Sequence, residues 1–237
     1  AVKKGIFVLN AAGNEGNKAW KKITPPSDAK NVLTVGAVGT DSVLASFSSQ
    51  GLTADRRIKP DLVSVGKATV TIGRDGAIGT TNGTSLSAPF LTGLITSLWS
   101  VNPSMARSQV VNIVRRSGDR YLSPDSLYGY GIPDFHRALK EVLGGLEIHS
   151  SVITDNGWDI RPDSNGGFRV SVPEPVFSLS SYSFCVLDEE GYVLSSYRFG
   201  EEKTLDVPSQ DGISQKNKFL YFVTEEPFLQ RVYKVKI

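Results

Sequence analysis

The pattern of hydrophobic and polar positions changes at residue 145. Before it, continuous apolar runs at residues 6–9, 32–35 and 62–65 are typical of strands covered on both faces in a parallel sheet. After it, short aromatic and β-branched segments bounded by turn residues are typical of antiparallel strands. The pattern predicts an α/β fold in residues 1–145, with helices on both faces of a partial parallel sheet. A small antiparallel, sandwich-like β domain is predicted in residues 146–237.

Three helices and one hairpin are predicted in the first part of the chain. Residues 85–101 are apolar almost all round, which predicts a central buried helix. Residues 103–116 are amphipathic, and residues 133–142 form a third helix closed by two glycines. Residues 69–81 carry β-branched side chains around an Asp-Gly pair, which predicts a hairpin before the first of these helices.

The strands predicted in the second part share aromatic or β-branched residues between turn formers. They lie at residues 168–172, 182–187, 192–199, 219–223 and 232–237, with a hairpin turn at residues 188–191.

The first five residues are typical of the last turn of a helix. Lys3 and Lys4 lie near the negative end of the helix dipole, and Gly5 stands at the cap position. The body of such a helix would lie upstream, so we expect that residues precede this sequence.

Charge and cysteine content exclude several classes of function. The 26 basic and 24 acidic residues are mixed along the chain, so charge gives no support for nucleic acid or a membrane surface as a partner. The sequence contains no run of about 20 apolar residues, so no membrane span is predicted. The single cysteine, Cys185, rules out an internal disulfide framework, and we expect it to be a packed small hydrophobe. The sequence contains no CxxC motif and no Cys/His cluster, so no structural zinc site is predicted.

Candidate chemistry lies between the hairpin and the first helix. Ser85 is expected at or near the first turn of that helix, where backbone N–H groups favour developing negative charge. Gly83 would permit close approach of a substrate backbone. A serine at such a place is usually a helix N-cap, and this alternative explanation applies to Ser85 taken alone.

Residues 83–89 closely resemble the nucleophile signature of the subtilisin family, in which Gly-Thr-Ser is followed by small residues and proline. Residues 11–16 resemble the family segment that carries the oxyanion-hole asparagine, although Asn and Gly also form ordinary loops. The resemblance covers residues 1–143 and departs at residues 64–66, where Ser-Val-Gly replaces the family's usual Ala-Pro-Gly. Further segments in the family's order are residues 34–38, 45–49, 59–61 and 128–131.

The resemblance implies a serine endopeptidase that cleaves protein or peptide substrates. It implies catalytic roles for Ser85 as nucleophile and for Asn14 as an oxyanion donor, and substrate-binding roles for Ala12, Gly13, Gly83 and Thr84. Peptide substrate would bind by strand pairing. No cofactor is predicted, although calcium sites occur in the family and their ligands stay unassigned here. The resemblance also implies a protein that is secreted, periplasmic or at the cell surface.

The base that would activate the serine is not found in the sequence. The family supplies a histidine held by an aspartate, both before the serine. Neither motif is present, and Asp28, Asp41 and Asp61 are not substitutes. His136 and His149 follow Ser85, and we expect structural roles for both. The chain alone is therefore expected to lack appreciable peptidase activity and to need a missing N-terminal half of the peptidase domain.

Two other functions stay open on the sequence. The chain could be a non-catalytic peptide-binding or scaffold protein on a degenerate subtilisin-like fold. Alternatively, the β domain could be the functional part and mediate adhesion or cell-surface attachment.

Overall fold

The computed structural model describes residues 1–146, 148–149, 153–155, 157–174, 178–208, 219–226 and 229–236. The chain divides into two compact units by packing. The first unit contains Ala1–Trp99 and Ser104–Ala138, and the second contains Ser100–Pro103 and Leu139–Ile237. The domain boundary at residue 145 stays a prediction, since this division concerns contacts alone.

A three-stranded parallel sheet forms the centre of the first unit. Its strands are β1 (Leu9–Ala11), β2 (Leu33–Val38) and β3 (Leu62–Val65), in the order β1-β2-β3. Every residue of β2 is buried, as its continuous apolar run predicts. The second and third predicted strands are therefore confirmed.

The first predicted strand is shifted along the chain. A 3₁₀ turn at Val2–Lys4 ends at Gly5, and regular pairing with β2 begins only at Leu9. Ile6 is 55% exposed, and the residues of β1 are half-buried rather than covered on both faces. The apolar run correctly indicated a strand but not its bounds, because pairing register decides where a strand begins.

The predicted hairpin is confirmed and leads into the first helix. Strands β4 (Thr69–Ile72) and β5 (Ile78–Thr81) pair antiparallel, and α1 (Thr84–Val101) follows. The prediction that this helix is buried all round was wrong. Leu91, Ile95 and Leu98 are buried, whereas Phe90 is 52% exposed.

The two later helices begin after their predicted starts because of polar groups at their N-termini. Helix α2 spans Arg107–Arg116, and Gln109 Oε1 accepts a hydrogen bond from Ala106 N just before it. Helix α3 spans Phe135–Gly144, and Asp134 Oδ1 accepts one from Arg137 N in its first turn.

The described residues of the second unit form two sheets. Its strands are β6 (Ile148–His149), β7 (Ile153–Asp155), β8 (Trp158–Pro162), β9 (Phe168–Ser171), β10 (Ser183–Leu187), β11 (Val193–Arg198), β12 (Thr204–Val207), β13 (Phe219–Glu226) and β14 (Leu229–Lys236), with a 3₁₀ turn at Leu179–Ser181. The sheet orders are β11-β10-β13-β14-β6 and β12-β9-β8-β7. All pairs are antiparallel except β14 with β6. The α/β class and all five strands predicted here are confirmed, with shifted ends.

Both sheets of the second unit contribute to one hydrophobic core. Trp158 on β8, Phe168 on β9, and Phe184 and Phe222 on the five-stranded sheet are buried in the same cluster. Cys185 faces away from this core and packs against a second cluster around Leu143, as expected for a small hydrophobe. Burial, with a smaller effect of Glu225, raises the pKa of the Cys185 thiol to about 11.

Within the described ranges, no helix has the length and apolar character needed to cross a membrane.

Candidate functional site

The segment between β5 and α1 is fixed to the residues that follow β3. Asn82 Oδ1 accepts a hydrogen bond from Ala68 N at 2.7 Å, and Gly83 N donates to Gly66 O at 2.8 Å. Helix α1 then begins at Thr84, so Ser85 is its second residue. Ser85 is therefore not the N-cap, and its exposed side chain lies at the positive end of the helix dipole.

Thr84 holds Asn14 against the start of α1. Asn14 Oδ1 accepts hydrogen bonds from Thr84 N at 3.0 Å and from Thr84 Oγ1 at 3.1 Å. The same Thr84 Oγ1 accepts a bond from Gly13 N at 3.2 Å. These bonds fix the loop after β1 to the N-terminus of the helix and set the orientation of the Asn14 amide.

Asn14 and Ser85 border the same space beside Gly83. A methyl group placed on the Gly83 Cα would lie 2.9 Å from Ser85 Oγ and 3.6 Å from Asn14 Nδ2. Any larger residue at this position would crowd the hydroxyl and the amide. The structure thus brings together the two residues for which the sequence predicts catalytic roles.

The backbone N–H of Ser85 is one of the hydrogen-bond donors at the start of α1. The first N–H groups of a helix have no partner within the helix. Thr84 N donates to Asn14 Oδ1, and Leu86 N donates to Gly83 O at 3.1 Å. In the described part of the chain, no acceptor is found for Ser85 N. Donors of this kind at a helix N-terminus suit a developing negative charge.

Ala12 and Gly13 lie behind this space. Ala12 is fully buried, its N–H donates to Val35 O at 2.9 Å, and its carbonyl accepts from Thr24 N at 3.1 Å. Its side chain therefore has no surface that a substrate could touch. Gly13 has φ 107, and a methyl there would lie 2.6 Å from Thr24 Oγ1, so only glycine fits.

Sequence reasoning missed the role of Ser49. Its N–H donates to Gly13 O at 2.9 Å, and its Oγ accepts from Glu15 N at 3.0 Å. These bonds support the loop on both sides of Asn14. Residues 45–49 belong to a family segment, which was the one available signal, but contacts between residues 34 positions apart do not follow from the pattern.

Among the residues that the structure describes, no side chain forms a hydrogen bond with Ser85 Oγ. Asp61 is 2% exposed and engaged in ion pairs with Lys59 and Arg115. Asp41 Oδ1 accepts from Val43 N at 3.1 Å in its own loop. His136 is the second residue of α3, and the side chain of His149 lies outside the described residues.

Comparison with known proteins identifies the family of the sequence. The subtilase family (Peptidase S8) matches residues 1–131. Subtilisin E of Bacillus subtilis is 31% identical over 133 residues, covering 56% of this chain and 33% of that protein. The serine protease AprX of Bacillus subtilis is 28% identical over 149 residues, covering 54% of this chain and 34% of AprX.

Solved structures agree at the level of the fold. An epidermin leader peptide processing serine protease from Staphylococcus aureus superposes with a TM-score of 0.51 and 21% identity, over 62% of this chain and 42% of that one. The self-cleaved protease domain of PatA gives a TM-score of 0.51 with 20% identity, over 62% and 53% of the two chains. The chain thus spans a third of Subtilisin E and of AprX, and about half of the PatA domain structure. Because the family match extends over more than half of the sequence, the chain belongs to the subtilase family.

Proposed function

We propose that this chain is the nucleophile-bearing part of a subtilisin-like serine endopeptidase that cleaves protein or peptide substrates. The observation that carries the proposal is the space beside Gly83, which Ser85 Oγ and Asn14 Nδ2 both border. Membership of the subtilase family supports the same conclusion.

In this mechanism Ser85 Oγ attacks the carbonyl carbon of the scissile peptide bond. The carbonyl oxygen then carries negative charge, which the Asn14 amide and the Ser85 backbone N–H stabilise by hydrogen bonding. Collapse of the tetrahedral intermediate breaks the C–N bond and leaves the acyl group on Ser85, and water later releases it. Thr84 and Gly13 act by holding Asn14 rather than by touching the reacting atoms.

The serine proton must go to a base, and we propose that this base is a histidine held by an aspartate in an N-terminal half of the peptidase domain. The absence of a base on Ser85 Oγ among the described residues supports this proposal. So does the coverage of only a third of Subtilisin E. The chain alone is then inactive as a peptidase. The family resemblance supports a secreted, periplasmic or cell-surface location.

One observation favours a second candidate function. Since no described side chain activates Ser85, the fold could bind peptides or act as a scaffold without cleaving them. The arrangement of Ser85 and Asn14 would then be retained from a peptidase fold without being used for catalysis. The second unit, with its continuous core, could attach either form of the protein to a surface.

The test is covalent labelling of the serine in the protein extended by its upstream coding sequence. A fluorophosphonate probe should label the extended protein and a Ser97→Ala control on the same helix, whereas Ser85→Ala should not be labelled. The 237-residue chain alone should stay unlabelled. Labelling that persists in Ser85→Ala would refute the assignment of the nucleophile. No labelling of the extended wild type would support the non-catalytic alternative.

A further inference from the structure

The hairpin formed by β4 and β5 carries an exposed apolar face. Ile72 pairs directly with Ile78, and Val70 lies two residues before Ile72, so the three side chains share one side of the hairpin. They are 68%, 75% and 79% exposed for Val70, Ile72 and Ile78. Thr80, opposite Val70, completes this group, which we call the hairpin face. Single exposed apolar residues are ordinary, but a contiguous group marks an interaction site.

The hairpin face is fixed relative to Ser85. Strand β5 ends at Thr81, four residues before Ser85, and four residues of extended chain span at most about 14 Å. The bond from Ala68 N to Asn82 Oδ1 closes the base of the hairpin, and the bond from Gly83 N to Gly66 O ties that base to the sheet. The base of the hairpin therefore lies within about 14 Å of Ser85, close to any polypeptide held there.

The chemistry of the hairpin favours an extended apolar segment. Neither strand contains a charged residue. Arg74 and Asp75 are confined to the turn, where Asp75 Oδ1 accepts a bond from Ala77 N. In the described part of the chain the hairpin forms a sheet of two strands, so its outer edges can still pair with an extended backbone.

We infer that the hairpin face is an exosite, which binds an extended, apolar segment of the protein substrate away from the scissile bond. This inference rests on the proposed peptidase function and adds a substrate class to it. It selects unfolded or loosely folded proteins with apolar stretches over short polar peptides. The occupant we propose is the substrate, because the base of the hairpin is bonded to the segment that carries Ser85.

The test compares long and short substrates in the protein that includes its N-terminal half. The triple variant Val70→Thr, Ile72→Thr and Ile78→Thr keeps β-branched side chains in both strands while making the face polar. We expect kcat/KM for casein to fall about 10-fold, which corresponds to a loss of about 1.4 kcal/mol of transition-state binding over the three apolar side chains together. The kcat/KM for a chromogenic ester of a single amino acid should stay within about 2-fold of the parent value, since one residue at Ser85 spans only about 3.5 Å and does not reach the hairpin face. A Thr71→Val control on the opposite side of the hairpin should change neither value.

Fluorophosphonate labelling of Ser85 separates the possible failures. If labelling is intact and casein hydrolysis is unchanged in the triple variant, the exosite is refuted while the proposed function stands. An equal loss on both substrates also refutes it and would indicate that the N-terminal half covers the face. Unchanged hydrolysis with reduced self-association in light scattering would indicate a second copy as the occupant and equally refute the exosite. If the parent protein is not labelled, the proposed function fails and the exosite fails with it.

Discussion

At the scale of single residues, Thr84 has more influence on the site than its place in the sequence suggests. The sequence indicates a substrate-binding role, yet its hydroxyl and N–H both bind Asn14, and its hydroxyl also accepts from Gly13 N. A side chain that orients a catalytic group affects the transition state more than the bound substrate.

Replacing Thr84 by valine tests this positioning role. The variant keeps the backbone bond to Asn14 but loses the hydroxyl, so we expect kcat to fall about 10-fold with little change in KM. Asn14→Ala should cost more, since loss of the corresponding donor costs subtilisin about 100- to 1000-fold. The measurement is steady-state kinetics on a short peptide, in the protein that includes its N-terminal half.

Thr84→Ser is the matched control, because it keeps the hydroxyl and should restore most of kcat. A rise in KM at constant kcat would contradict the positioning role and favour direct contact with substrate.

The residues with fixed motif identities were predictable, and their supports were not. Ser85 and Asn14 stand in recognisable runs of sequence. Thr24 and Ser49 come close to Gly13 only through folding, since nothing local to either residue indicates this contact. Ala12 could be assigned to a motif, but the motif did not indicate that this residue is fully buried.

At the scale of elements, the pattern of hydrophobic and polar residues predicted which segments form strands and helices. It predicted less well which faces are exposed and where the elements end. Helix α1 is apolar almost all round, so periodicity could not indicate which side is exposed, and Phe90 lies on that side. Strands β7 and β12 have three and four residues, which is too short for a clear alternation. Polar contacts at Ala106 and Asp134 moved the starts of α2 and α3.

A largely buried ion network connects β2, the residues just before β3, and α2. Lys59 and Asp61 are each 2% exposed and pair with one another, and Arg115 pairs with the other carboxylate oxygen of Asp61. Thr34 N donates to Asp61 Oδ2 at 2.7 Å, and Lys59 Nζ donates to Val32 O at 2.6 Å. Burial lowers the pKa of Lys59, and the Asp61 carboxylate opposes this shift.

Asp61→Asn should therefore destabilise the chain strongly. The variant leaves the Lys59 charge buried without its partner, so we expect the free energy of unfolding to fall by about 3–5 kcal/mol. Urea unfolding of the 237-residue chain measures it. The same change in a Lys59→Met background should cost less, and an equal cost there would show that the buried charge is not the cause.

The Asp61→Asn variant should also gain stability as pH rises. With its counter-charge gone, Lys59 has a lower pKa folded than unfolded, so the unfolded chain binds more protons between these two values. The free energy of unfolding relative to the parent chain should then recover as pH rises from neutral toward about 10.5, the pKa of an exposed lysine. This recovery should be missing in the Lys59→Met background.

At the scale of the whole molecule, the described surface of the first unit carries two features that are usually covered. Strand β1 lies at one end of a parallel sheet, and parallel sheets are normally covered at their faces and edges. Helix α1 exposes Phe90 on the side away from its buried residues. Both features are consistent with the proposal that a further part of the peptidase domain packs against this unit.

The 237-residue chain on its own should consequently self-associate. An unpaired strand edge and exposed apolar side chains favour contact with a second copy. We expect light scattering to give a mass above 25.6 kDa that rises with protein concentration.

Phe90→Asp should reduce this rise by placing a charge on the exposed side of α1, whereas Leu122→Asp, at an exposed loop position, serves as the control. Co-expression with the N-terminal half should suppress the association, because that half would cover both features. A constant mass of 25.6 kDa at every concentration would show that these surfaces need no partner.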